Sequence, residues 1–301
     1  MRLDIAAQSD VGRRKDNNED SYGVFLEDSP NLNLFNDGAL LIVADGLGGH
    51  MGGEIASKLA VSIFKDLIKE EPPEPAPEDV AEEPMLPLMR RYVDLANTSV
   101  FRTNEDLSTG KKPMGTTLIA AVVSPRKVYI TNVGDSRCYH IREGEIIART
   151  EDHSWVDEQV KLGLMSKAEA QMDFRKNVVT RSVGTRPDVS VDSYMWHIVP
   201  GDWLMLCSDG LINMVEDGAI TDEFKKGGSA AEITARLVDL ANENGGKDNI
   251  TVVLANISPS LFRLLLMRMR SFCRQQGLKL SWPRVTAAAF FFCFFARGFL
   301  E

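Results

Sequence analysis

Cysteine is scarce in this 301-residue chain: Cys138, Cys207, Cys273 and Cys293 make four, with no Cys-x-x-Cys pair among them. A disulfide framework is excluded, and so is a zinc site of finger-like spacing. The expected compartment is therefore the reducing cytoplasm. No Gly-x-x-x-x-Gly-Lys-Ser/Thr run is present, which removes a nucleotide-binding P-loop. Residues 1–9 begin polar, with Arg2 and Asp4, and lack the apolar centre of a signal peptide, so export from this end is not expected.

Basic charge is missing from most of the chain. Of 34 basic and 43 acidic residues, 27 and 42 fall in residues 1–258, a net of −15 against −9 for the whole. So acidic a body argues against nucleic acid as a partner. The remainder, 259–301, holds seven basic side chains and one acid. The chain is expected to form one domain over 1–258, followed by a basic and apolar tail.

Within the body, five acidic clusters stand far apart: Asn18-Glu19-Asp20, Asp45-Gly46, Gly134-Asp135-Ser136-Arg137, Ser208-Asp209-Gly210 and Lys247-Asp248-Asn249. Most lie where a strand is expected to end. Leu40–Ala44 reads as a strand buried on both faces, with Asp45 at its exit. Ile55, Leu59, Ile63 and Leu67 then recur at helical spacing. The stretch 70–87, with six prolines and seven acids, reads as a solvated loop. A second helix is expected from Met85 to Asn104.

The period then changes to that of strands: Thr117–Val123, Val128–Val133, Cys138–Ile141 and Ile146–Arg149, joined by short turns. Ser166/Glu169 and Ser229/Glu232 are capping-box pairs that open helices. Val189–Ile198, Trp203–Ser208 and Ile250–Ile257 complete the strands. Elements in blocks rather than strict alternation favour antiparallel sheets with helices outside.

Converging carboxylates repel by roughly 4 kcal/mol per close pair at an effective dielectric near 20. A divalent cation relieves this. All-oxygen ligands select hard ions such as Mg²⁺ or Mn²⁺, and two such ions suit phosphate ester hydrolysis by an activated water. No cysteine has an arginine six residues later, so a Cys-based phosphatase loop is absent.

The ordered series Ser9-Asp10, Asn18-Glu19-Asp20-Ser21, Ala44-Asp45-Gly46-Leu47-Gly48-Gly49-His50, Gly115-Thr116-Thr117, Gly134-Asp135-Ser136-Arg137, Asp152-His153-Ser154, Ser208-Asp209-Gly210 and Asp248-Asn249-Ile250-Thr251 resembles the metal-dependent type 2C Ser/Thr protein phosphatases in their bacterial form. The resemblance covers about residues 4–257. It implies an α+β fold, a four-layer α-β-β-α sandwich of two antiparallel sheets flanked by helices. It further implies Asp45, Asp209 and Asp248 as the catalytic, metal-holding carboxylates. The Gly46 carbonyl, Glu19 (through water) and Asp20 (from behind) would complete the pair of Mn²⁺ or Mg²⁺ sites, and Asp135 with Asp209 would hold a third, weaker ion. The implied partners are phosphorylated proteins, a Ser/Thr protein kinase among them.

Two positions depart from the family pattern. Lys15 stands where the family places a phosphate-gripping arginine, supplying a point charge instead of a bidentate fork; Arg14 is adjacent but on the opposite face of an extended segment. Leu47 stands where some members carry a histidine, with His50 nearby. Ser136-Arg137, His140 and His197 read as structural, Gly115-Thr116-Thr117 as packing and turn chemistry, and Cys207 as a small apolar residue.

The tail mixes Leu261–Met267 with arginines. It reads either as a segment lying on an anionic membrane surface or as a disordered or partner-bound extension; its apolar run Val285–Ala296, of about twelve, is short of the roughly 17–25 that span a bilayer. Two functions stay open from sequence: a metal-dependent phosphoprotein phosphatase, and a non-catalytic module sensing phosphoprotein or metal on the same fold.

Overall fold

The computed structural model describes residues 2–26, 38–48, 51–66, 83–106 and 113–258. The chain divides into two units, Leu3–Ile257 and Met1–Arg2 with Ser258–Glu301. Of the second unit only Arg2 and Ser258 are among the described residues, so the expectations for the tail lie outside them.

The elements are β1 (Arg2–Asp10), β2 (Ser21–Leu26), β3 (Ala39–Ala44), β4 (Gly46–Leu47), α1 (Met51–Lys65), α2 (Met85–Asp106), β5 (Gly115–Thr116), β6 (Leu118–Val123), β7 (Lys127–Val133), β8 (Arg137–Arg142), β9 (Glu145–Arg149), α3 (Trp155–Lys161), α4 (Lys167–Met172), β10 (Asp192–His197), β11 (Trp203–Cys207), α5 (Asp209–Ile212), α6 (Asp217–Lys225), α7 (Ala230–Glu243) and β12 (Ile250–Ser258). Two five-stranded sheets run β10-β7-β6-β3-β2 and β1-β12-β11-β8-β9, and β4 pairs with β5 apart from them. The pairings from β10 to β2 in the first sheet, and from β12 to β9 in the second, are all antiparallel.

Each sheet carries helices on one face. Leu40, Ile42 and Ala44 pack with Ala56, Ala60 and Phe64 of α1 and Met89, Val93 and Ala96 of α2. On the other sheet Tyr139, Met205, Val252 and Leu254 pack with Ile220 and Phe224 of α6 and Ile233, Leu237 and Ala241 of α7. Alternation along a strand turns Leu41 and Val43 to the opposite face, and both are fully buried, with β3 lying against β11 of the second sheet. Because β3 is covered on both sides, it carries no polar residue. The result is the four-layer α-β-β-α sandwich that the motif resemblance implied.

Local signals hold at several helix starts. Ser166 and Ser229 accept from the backbone of Glu169 and Glu232, and both glutamates reach back, completing the two capping boxes. α1 begins at Met51, inside the glycine-rich turn rather than after it. Pro87 falls within the first turn of α2, where the missing N–H is not needed. The rest of the expected 70–87 loop falls largely at 67–82, outside the described residues. Cys138 and Cys207 are free and buried on neighbouring strands, as small apolar residues.

Ion pairs tie the second sheet's rim. Arg137 donates through Nε and Nη2 to the two carboxylate oxygens of Asp152, both at 2.7 Å, so the structural reading of this arginine holds. His140 and Arg142 both engage buried Asp202, at 2.7–2.8 Å.

Leu41, with no exposure, and Leu164, 71 % exposed, give opposite expectations. Leu41→Ala should cost about 2–5 kcal/mol through the cavity it leaves, and Leu164→Ala within about 0.5 kcal/mol. Urea denaturation of both variants beside the parent checks this; equal midpoints would contradict the buried-sheet assignment of β3.

Candidate metal centre

Antiparallel pairing explains how the acidic clusters meet. Where one strand leaves an edge of the sheet, its neighbour enters. Asp45 follows β3, Asp135 follows β7 and Asp209 follows β11, whereas Asp20 precedes β2 and Asp248 precedes β12. Exits and entries of alternating strands therefore bring all five carboxylates to one end of the sandwich. The expectation of strand ends holds for three; the other two stand at strand beginnings.

Asp45 feels the charges of Asp20, Asp209, Asp135 and Asp248. Burial, followed by those charges, pushes the Asp45 carboxyl well above the usual carboxylate range, and burial with Asp209 and Asp152 does the same for Asp135. Asp209 is pushed up to about 6 by burial and by Asp248. Asp20 reaches about 7, raised by burial against the restraining hydroxyls of Thr251 and Ser208. These are carboxylates awaiting positive charge.

The surroundings fix each one. Asp20 Oδ2 accepts from Ser208 Oγ and Thr251 Oγ1, each at 2.7 Å. The Asp45 amide donates to Thr117 Oγ1 (2.9 Å), and its carbonyl accepts from Thr116 Oγ1 (2.9 Å) and the Thr117 amide (2.8 Å). Gly115-Thr116-Thr117 thus acts through packing, as expected, but from the short strand β5 rather than a turn, and its particular service is to hold Asp45 by hydrogen bonds. Asn249 accepts from the Glu19 amide and donates to the carbonyls of Val11 and Asn17, all at 2.9 Å, which pins the Glu19 segment beside Asp248. Sequence reasoning placed Ser208, Thr251 and Asn249 in motifs but gave them no role; polar residues flanking an acid at a strand end were the available signal.

The residues fit a hard divalent cation. Asp20 Oδ1 and Asp209 Oδ1 are buried oxygens with no hydrogen-bond partner, which a cation would satisfy. At Gly46 a Cβ would come within 2.3 Å of the Gly53 carbonyl oxygen and 2.6 Å of the Glu19 carbonyl oxygen, so only glycine lets these backbones close on the site. Among the described residues no group of three His, Cys, Asp or Glu side chains is gathered closely enough to hold a metal ion by itself.

Lys15 and Arg14 flank the mouth differently. Lys15 Nζ lies 2.5 Å from Asp248 Oδ1, with both side chains partly exposed. Burial would lower its pKa, but the bond to Asp248 and the charges of Asp248, Asp45 and Glu19 outweigh it and hold the ammonium above its ordinary value. Arg14 is exposed and belongs to a turn over residues 12–14 rather than the extended segment expected, so the alternation of faces that was to separate it from Lys15 does not apply. Leu47 pairs with Gly115 in the small sheet, and His50 lies outside the described residues. A cavity of about 900 Å³ opens beside Asp20, lined by Asn18, Tyr22, Phe25, Glu54 and Lys58 among others.

Comparison with known proteins bears on this centre. The family model for protein phosphatase 2C matches residues 14–255. The chain is 37% identical over 247 residues to a serine/threonine phosphatase, stp, of Listeria welshimeri, covering 82% of this chain and 93% of that protein. The crystal structure of the Mycobacterium tuberculosis serine/threonine phosphatase PstP/Ppp superposes with a TM-score of 0.72 at 32% identity, covering 85% of this chain and 99% of that one. A structure of the PstP catalytic domain in complex with two manganese ions gives 0.69 at 32% identity, with 85% and 99% coverage. With a family model matching most of its length and a curated relative 37% identical over 82% of this chain, the chain belongs to the protein phosphatase 2C family.

Proposed function

We propose that this protein hydrolyses phosphoserine and phosphothreonine esters on other proteins, using manganese or magnesium held by the carboxylates at the end of the sandwich. The observation that carries this reading is the pair of buried, unpartnered oxygens Asp20 Oδ1 and Asp209 Oδ1 in a cluster where Asp45 feels the charges of Asp20, Asp209, Asp135 and Asp248. Bound there, two divalent ions acidify a water for attack and offset charge on the phosphate oxygens.

The chain's own residues orient that chemistry. Asp45, Asp209, Asp248 and the Gly46 carbonyl would hold the paired ions, with Glu19 acting through water and Asp20 supporting from behind, and Asp135 with Asp209 would hold a third, weaker ion. Lys15, aided by Arg14, supplies the positive charge that meets the incoming phosphate, as a point charge rather than a fork. The physiological partners are phosphoproteins, including the kinase whose work it reverses. The basic, apolar tail adds peripheral contact with an anionic membrane surface; among the described residues no helix is long and apolar enough to cross a membrane.

The raised carboxyl pKa values link this centre to stability. Asp20 near 7 and Asp209 near 6 stand above the ordinary 3.8. Each therefore contributes stability that is fully present below about pH 4 and is lost as pH rises through 6–7, when the buried charges form unpaired. Cations that neutralise those charges reverse the loss.

Three outcomes are expected. With Mn²⁺ the purified protein should release phosphate from a phosphothreonine peptide, stop in chelator, and fall to background as Asp45→Asn or Asp248→Asn, while Asp20→Asn loses about 10–100-fold; peptide retained without turnover would indicate a binding module instead. In urea melts, the gap between Mn²⁺-loaded and chelated protein should widen from pH 5 to pH 7.5 by on the order of a few kcal/mol, and a flat gap would refute the linkage. Full-length chain should sediment with anionic membranes and a chain ending at Ser258 should not; equal soluble fractions remove the membrane contact.

A further inference from the structure

The turn that carries Asp135 hangs on a buried side chain to which the reading above gives no part. His153 is 1 % exposed. Its backbone N–H donates to the Gly134 carbonyl at 3.0 Å, and its ring Nδ1 accepts the Gly134 N–H at 3.1 Å. One residue thus engages both polar backbone groups of the glycine immediately before Asp135.

This arrangement fixes the tautomer. A backbone amide only donates, so Nδ1 carries the lone pair and the ring hydrogen is on Nε2. Nε2 faces Asp192 Oδ2 at 3.1 Å, and Asp192 Oδ1 accepts from Arg181 Nη1 at 2.8 Å. Arg181 Nη1 also lies 3.3 Å from Nε2; both are donors there, so the arginine's bond goes to the carboxylate. The His153 carbonyl accepts the Thr180 amide at 2.8 Å, which leaves the residue anchored at every polar atom it has.

The Asp135 turn needs such an anchor. Gly134 has φ +110, in the left-handed region, and a Cβ there would meet Thr117 Cγ2 at 2.5 Å. Asp135 is itself repelled by Asp209 and Asp152. Free of restraint, the turn would relax by swinging this carboxylate away from Asp209, and the hydrogen bonds from His153 oppose that motion.

We propose that His153 is the positioning residue of the Asp135 arm, holding its carboxylate toward Asp209 and so setting the affinity of the weaker cation site these two aspartates form. The inference rests on the reading that Asp135 and Asp209 share an ion. Partners of this outer kind are worth about 10–100-fold in metal affinity. His153 is singled out because it bonds the ligand's own turn.

The test counts ions rather than turnover. Mn²⁺ is titrated into the full chain by calorimetry, with free ion read by electron paramagnetic resonance, for the parent, His153→Ala and His153→Asn. His153→Ala should weaken the weakest binding step at least about 10-fold and leave the tighter steps unchanged. His153→Asn, whose Oδ1 stands near the place of Nδ1 and accepts the Gly134 N–H, should restore it. Unchanged isotherms, equal weakening of every step, or equal defects in the two variants would overturn the proposal. Should His153→Ala yield no folded protein, Asp192→Ala removes the ring's second anchor; selective loss of the weakest step sustains the inference, and an unaltered isotherm overturns it. A parent chain that hydrolyses phosphopeptide but binds only two ions overturns this inference alone. Selective loss of the third ion in a chain without hydrolysis would sustain it and overturn the phosphatase reading.

Discussion

Repulsion among buried carboxylates is the constraint around which this protein is organised. Asp20, Asp45, Asp135 and Asp209 are all driven upward in pKa by burial and by one another, so the folded chain stores electrostatic cost at one end of its sandwich. Two sheets packed through the fully buried β3 and the largely buried β11 resist the spreading that would release it. Hydroxyls and amides placed behind the acids reduce the cost without removing it, and the charge left over is what a divalent cation sees.

The supporting groups act in tiers. Ser208 and Thr251 hold Asp20, Thr116 and Thr117 hold the Asp45 backbone, and Asn249 fastens the Glu19 segment. His153 does the same for the turn bearing Asp135. Each acid is thus aimed by a polar partner that does not itself lie among the converging carboxylates, the usual means by which ligand geometry is set. Lys15 is the exception, a cation beside Asp248.

Much of the fold was legible where a single local signal dominated. The wholly apolar run Leu40–Ala44 could only be a strand covered on both faces, and Ser166/Glu169 and Ser229/Glu232 announced two helices by chemistry contained within four residues. Elements without such a signal went unread. β1 and β2 are half-buried edge strands, with Gly23 interrupting the second, and α6 contains Gly218 and relies on Ile220 and Phe224 meeting α7. Their stability comes from neighbours distant in the chain, which no window of local sequence contains.

The candidate centre divides in the same way. Sequence alone determined which acidic clusters carry carboxylate oxygens, that such oxygens suit a hard cation, and, through their order, the family; these are properties of residue types and spacing. Tertiary structure alone decided that Asp20 and Asp248, at strand beginnings, stand beside Asp45, Asp135 and Asp209, at strand ends, since antiparallel pairing within each sheet and the packing of β3 against β11 join positions far apart in the chain. It also decided which carboxylate oxygens stay unpartnered and which histidine holds the Asp135 turn. Burial and hydrogen-bond direction belong to the packed chain and have no expression in sequence order.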